Sequence, residues 1–146
     1  MTEPAVWREP FEVRELLLRV DERGSLFEIL RFADDGIAGG GQLYTFSVRP
    51  QQRRGDHYHL GKKEWFTCVH GRVQVLLDDR QGRTEVVELD ADRPSIVYAG
   101  PGTIHALVNE TTEVAVVVSY GSKQHDPDAP DTYRERAIPG AEPVPR

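Results

Sequence analysis

The chain has a single cysteine, Cys68, in 146 residues, so no internal disulfide can staple it. It has no apolar run of the roughly 20 residues that a membrane-spanning helix needs, and its opening MTEPAVWREPFEVREL has no signal-peptide pattern. A reducing cytoplasm is the setting these absences predict, with no membrane partner. A positive balance is missing too: 18 Lys and Arg stand against 24 Asp and Glu, for a net charge of −6. Sequence-independent nucleic-acid binders need a basic face to displace counterions, so nucleic acid is not an expected partner. No internal repeat, low-complexity block or long helical periodicity is present. What remains is an ordinary globular composition, 38% hydrophobic and 29% charged, at a length suited to one domain.

The chain reads as short strands separated by glycine and proline. VRELLLRV (13–20) reads as a short helix or an edge strand, SLFEILRF (25–32) as a strand, and DDGIAGGG (34–41) as a flexible loop. QLYTFSV (42–48), EWFTCVH (64–70), SIVYA (95–99), HALVN (105–109) and EVAVVVSY (113–120) follow as strands. RVQVLLDD (72–79) and RTEVVEL (83–89) flank RQG and predict a hairpin. Beyond residue 121 the chain is proline-rich without periodicity, which predicts a body over 1–121 and a tail over 122–146 that packs on the surface or on a neighbouring subunit. Eight or so short strands with no long helix predict an all-β antiparallel sandwich or barrel, a jelly roll above all.

RRGDHYHLGKKEWF (53–66) holds the chemistry. His57 and His59 are two apart and share one face of an extended segment. Strand parity predicts Glu64, Phe66, Cys68 and His70 on one face of the next strand. His105 follows the Gly100-Pro101-Gly102 turn at the start of another strand. Alone, each histidine is more often a satisfied or exposed side chain than a ligand. Three imidazoles and one carboxylate converging from separate strands give a divalent metal neutral nitrogen donors, one anionic oxygen and open positions. Zinc suits such a set best, with iron, manganese or nickel as alternatives. Cys68 reads as a small core residue, and Trp7 and Trp65 as packing residues.

The spacing His57-x-His59-x4-Glu64-x6-Gly71, with Gly100-x-Gly102-x-x-His105-x-x-x-Asn109, resembles the double signature of the cupin superfamily. Gln51 replaces the glycine usual upstream of the first histidine, and the turn proline sits one place late, as Pro101. Within the superfamily, DERGSLFEIL (21–30) and RGDHYH (54–59) resemble motifs of the nucleotide-sugar 3,5-epimerases. The GQ strand start, RG-x-HYH, Glu64 and HDPDAPDTY (125–133) resemble the C-terminal cupin of bifunctional capsular polysaccharide enzymes. The resemblance implies a cupin jelly roll that acts on an NDP-4-keto-hexose, as C3 epimerase or 3,4-ketoisomerase, in polysaccharide or deoxysugar synthesis. It implies a homodimer as well.

The resemblance sets up one conflict. In the epimerases the histidine at the His57 position is the base, yet an imidazole that gives its lone pair to a metal cannot also take a proton. If His57, His59, Glu64 and His105 all bind metal, the reading the ligand set favours, the base must be Tyr44, Tyr98 or His70. Tyr120 lies on the strand where the family carries its tyrosine acid, without aligning cleanly. Arg54 and Arg53, with Lys63 and Gln42, are the candidate substrate contacts, the arginines as a clamp on a pyrophosphate. Two rivals remain open at this point: an iron- or manganese-dependent dioxygenase or decarboxylase on the same ligands, and a sugar-binding cupin without catalysis.

Overall fold

The computed structural model describes residues 6–137, so the end of the expected proline-rich tail lies outside the described residues. The strands are β1 (Phe11–Glu15), β2 (Arg19–Asp21), β3 (Gly24–Leu26), β4 (Gln42–Val48), β5 (Arg53–Tyr58), β6 (Glu64–His70), β7 (Arg72–Asp78), β8 (Thr84–Asp90), β9 (Ser95–Ala99), β10 (Ile104–Val108), β11 (Ala115–Gly121) and β12 (Tyr133–Arg134). Among the described residues there is no helix, and so none long and apolar enough to cross a membrane.

One sheet runs β1-β9-β6-β11-β4, the other β12-β5-β10-β7-β8, and β2 pairs only with β3. Apart from the β7–β8 hairpin, successive strands from β4 to β11 pass back and forth between the two sheets, all pairing antiparallel, which is the expected jelly roll. The β7–β8 hairpin forms as the sequence indicates, its reversal made by Arg80 and Gly82, both at positive φ. Between the sheets lies an apolar layer of Phe66, Val97 and Val117 from one and Val75, Leu77 and Leu107 from the other, sealed by Phe11, Val48 and Leu89. Cys68 sits in this layer at 1% exposure, and burial pushes its thiol pKa up, as suits a packing residue.

Two expected elements come out differently. The 13–20 run is split: β1 pairs with β9 only as far as Ser95, Pro94 precedes it, and after Leu16 bonds to the Pro94 carbonyl the chain peels away. Only the start of 25–32 is strand. Ile29 and Leu30 instead pack on the outer face of the first sheet, against Trp7, Trp65, Ile96, Tyr98 and Tyr120. Asn109 of the second motif is a brace. Its amide donates to Val48 O and Glu113 O, both at 2.8 Å, and its oxygen accepts from Thr111 N and Oγ1, which ties the end of β10 to β4.

Candidate metal and acid–base site

β5 is irregular where it matters. Gly55 and Asp56 have φ of +90° and +60°, and the β5–β10 register shifts between His105 and Ala106. A Cβ on Gly55 would stand 2.6 Å from His105 O, so only glycine lets the two strands approach this closely. Beyond the shift, His57 and His105 are direct cross-strand partners. Their rings lie 4.7 Å apart, with the His59 ring 5.0 Å from His57 and 5.5 Å from His105. Glu64 opens β6 beside them at 3% exposure, and ligand atoms of the four residues all lie within 4.8 Å of one another. The sequence-expected ligand set is therefore brought together.

Hydrogen bonding sorts the three imidazoles. His59 Nδ1 bonds to the Asp131 carbonyl and His105 Nδ1 to the Thr103 carbonyl at 3.2 Å. A carbonyl only accepts, so both rings carry their proton on Nδ1, and each turns Nε2 toward Glu64 Oε1. His59 Nε2 and Glu64 Oε1 are buried without a hydrogen-bond partner, although they face each other closely. Two lone pairs at that approach repel unless a proton or a cation lies between them. The donor set, imidazole nitrogens with one carboxylate, fits a borderline divalent ion such as zinc, and the carbonyls behind the rings are the outer support such ligands usually have. His57 is different: among the described residues its ring makes contacts with its neighbours but no hydrogen bond that would fix a tautomer.

The charges follow from burial. His57 is pushed down to about 3 by burial and then by His105 and His59, with Glu64 opposing, so the ring is neutral with a free lone pair at neutral pH. Burial likewise lowers the pKa of His105. Burial works against ionisation of Glu64, yet His59, His105 and Lys62 together hold it below the usual carboxylate range. Tyr44, on β4, donates its hydroxyl to Glu64 Oε2 at 2.8 Å. Burial and then the Glu64 charge raise its pKa, so it keeps its proton at neutral pH.

A cavity of about 310 Å³ opens in front of this cluster, lined by Tyr44, Arg54, His57, Glu64, His105 and Ser119 over a floor of Phe46, Phe66 and Leu107. A larger cleft of about 920 Å³ lies on the outer face of the first sheet, away from the histidines, walled by Trp7, Trp65, Tyr98 and Tyr120. Tyr98 and Tyr120 belong to that side because both pair directly with Trp65, whose side chain points opposite to those of Glu64 and Phe66. Their hydroxyls are used by Glu9 and by Gly40 O. Neither tyrosine reaches the cavity. Nor does His70. The register between β6 and β11 shifts before it, turning it out to solvent, and at about 3.3 Å per residue it stands about 20 Å along the strand from Glu64.

Of the expected substrate contacts, Arg54 lines the cavity mouth, its Nε bonded to Ser47 O and its guanidinium 5.7 Å over the Phe46 ring. Arg53 is bound bidentately to Asp56, through Nε and Nη2, both at 2.6 Å. Lys63 lines the outer cleft, and Gln42 accepts a bond from His125 N at 2.9 Å. Sequence reasoning missed Ser119, which the Tyr44 pairing faces inward, and Asp131, 72 residues from the ring it holds.

The family model described as the polysaccharide biosynthesis C-terminal domain matches residues 19–133. The UDP-2-acetamido-2,6-beta-L-arabino-hexul-4-ose reductase of Pseudomonas aeruginosa is 31% identical over 114 residues, covering 77% of this chain; the chain spans only 29% of that protein's length. The probable low-salt glycan biosynthesis epimerase Agl13 of Haloferax volcanii is 30% identical over 131 residues, covering 84% of each chain. Among solved structures, ChmJ, a 3'-monoepimerase from Streptomyces bikiniensis in complex with dTDP-quinovose, is 24% identical, with a TM-score of 0.75 over 91% of this chain and 72% of its own.

Proposed function

Because the chain belongs to the family of polysaccharide biosynthesis C-terminal domains, we propose that it moves a proton at C3 of an NDP-4-keto-hexose, as epimerase or 3,4-ketoisomerase, in polysaccharide or deoxysugar synthesis. The names of its relatives, a probable glycan epimerase among them, support the substrate class. One observation carries the assignment of roles: two of the three clustered imidazoles are fixed from behind by carbonyls, and among the described residues the third is not. His59, Glu64 and His105 would hold a divalent ion, zinc foremost, which when bound supplies Lewis-acid polarisation of a carbonyl oxygen.

His57 is the base. It is neutral and lines the cavity; of the other candidates weighed, Tyr44 stays protonated and Tyr98, Tyr120 and His70 lie elsewhere, while Glu64 and His105 would be taken up by the ion. A 4-keto group acidifies the hydrogen on C3. His57 takes that proton, and the C–H electron pair passes into an enolate spanning C3 and C4. Tyr44 turns its hydroxyl from Glu64 to the enolate oxygen, where a hydrogen bond counts most as charge develops. Return of a proton from solvent to C3 on the other face, with His57 releasing its own proton to solvent, completes epimerisation. Delivery to C4, with the C3 hydroxyl proton passing to the C4 oxygen as the C3 carbonyl forms, completes ketoisomerisation. A cavity of about 310 Å³ suits one sugar ring, which leaves the nucleotide along the mouth beside Arg54. The proposal includes a homodimer in a reducing, cytoplasmic setting.

The test is solvent-deuterium exchange into C3 and C5 of UDP- and dTDP-4-keto-6-deoxyhexoses. Exchange at C3 is expected. No exchange across several such sugars would defeat the reading and return the field to an oxygen-using or purely sugar-binding cupin.

A further inference from the structure

The segment after residue 130 returns to the site and grips it. Asp131 O accepts the Nδ1 proton of His59, and the Asp131 carboxylate accepts from the next two amides, Leu60 N at 2.9 Å and Gly61 N at 2.8 Å. One residue thus holds the run 59–61 through both its main chain and its side chain. The segment then runs beside the first histidine: Tyr133 and Arg134 pair with Tyr58 and His57, and the Tyr133 ring stacks on Tyr58 at 5.3 Å. Glu135 N donates to Asp56 O and Ala137 N to Asp56 Oδ1, at 3.0 and 3.1 Å. Arg80 clamps the far end, bonded to Glu135 at 3.0 Å and lying 4.0 Å over the Tyr58 ring.

We propose that Asp131 is a positioning residue for the ion site: its carboxylate, fastened to Leu60 and Gly61, sets its own carbonyl against His59 Nδ1 and so keeps His59 Nε2 aimed at Glu64. The inference rests on the reading that His59 and Glu64 hold an ion. An imidazole ligand binds through one nitrogen, and an acceptor on the other nitrogen fixes the tautomer, orients the ring and makes the lone pair more basic. His59 lies past the end of β5; its carbonyl is tied to Gly102 N at 2.7 Å, but its ring stands outside the ladder, and Gly61 offers no side chain to brace it. Asp131 supplies that brace from the far end of the chain. His105 needs nothing comparable, since its acceptor belongs to Thr103 of its own turn.

Three variants test this: Asp131→Ala, Asp131→Asn and Arg80→Ala. Imidazole nitrogen NMR on metal-free protein reads the tautomer of His59, and zinc titration against a chromophoric chelator reads affinity. Wild type is expected to show the Nδ1–H tautomer at His59. Asp131→Ala is expected to show mixed tautomers and to bind zinc about 10- to 100-fold more weakly, with Asp131→Asn in between and Arg80→Ala within about twofold of wild type. Wild-type tautomer and affinity in Asp131→Ala overturn the proposal. So does Arg80→Ala weakening zinc as much as Asp131→Ala, because docking of the whole segment would then be the cause. Wild-type protein that takes up no zinc overturns the ion reading by itself; the His59 tautomer in metal-free Asp131→Ala still decides whether Asp131 positions the ring.

Discussion

His105 and His59 face the same carboxylate but are supported in opposite ways. The ring of His105 leans on Thr103, two residues earlier in the same turn, whereas the ring of His59 leans on Asp131, 72 residues further on. One half of the site is therefore supported by local geometry, and the other half by a segment that returns along β5. His57, between them, has no such support among the described residues. Under the proposed function the contrast is a division of labour: the rings fixed on one nitrogen would hold an ion with the other, and the ring left unfixed would take up a proton and release it.

Glu64→Gln breaks both halves together, because it removes the anionic oxygen that both fixed rings face. Loss of measurable zinc uptake and of C3 exchange is the expected outcome by chelator competition and by deuterium incorporation. Retention of zinc at wild-type affinity would mean that the ion, if any, sits elsewhere. Tyr44→Phe leaves both halves intact and removes only the donor. Exchange is expected to fall about 100-fold with zinc uptake preserved, measured as the rate of C3 deuteration. Thr103→Ala sharpens the contrast from its weak side. The carbonyl that fixes His105 belongs to the main chain and survives, so zinc affinity is expected to hold within about twofold. Thermal unfolding should show a loss of about 1 kcal/mol from the bond between Thr103 Oγ1 and Pro10 O.

Much of this was legible from residues alone, and the parts that were not share a cause. Strands 42–48, 64–70 and 95–99 begin and end where β-branched and aromatic residues give way to glycine and proline. The four ligand candidates follow from spacing because each lies near a strand end on a predictable face. His70 was misplaced because parity counting assumes an unbroken ladder, and β6 shifts register against β11 before reaching it. Tyr98 and Tyr120 were misplaced because a tyrosine in a strand does not say which face is the lumen; only their pairing with Trp65 does. Arg53 looked free because its partner Asp56 meets it only through a left-handed kink at residues 55 and 56. Asp131 gave no local signal of its role, since what it holds is distant in sequence.

The division of labour among the histidines is tested most directly by His57→Ala, assayed for zinc content and for C3 exchange on the same preparation. The expected result is zinc bound at wild-type stoichiometry with exchange slowed about 1,000-fold, within the range a lost general base costs. Loss of zinc together with exchange would make His57 a fourth ligand, and exchange at the wild-type rate would show that the proton goes to another group; either result contradicts the assignment of His57 as the base.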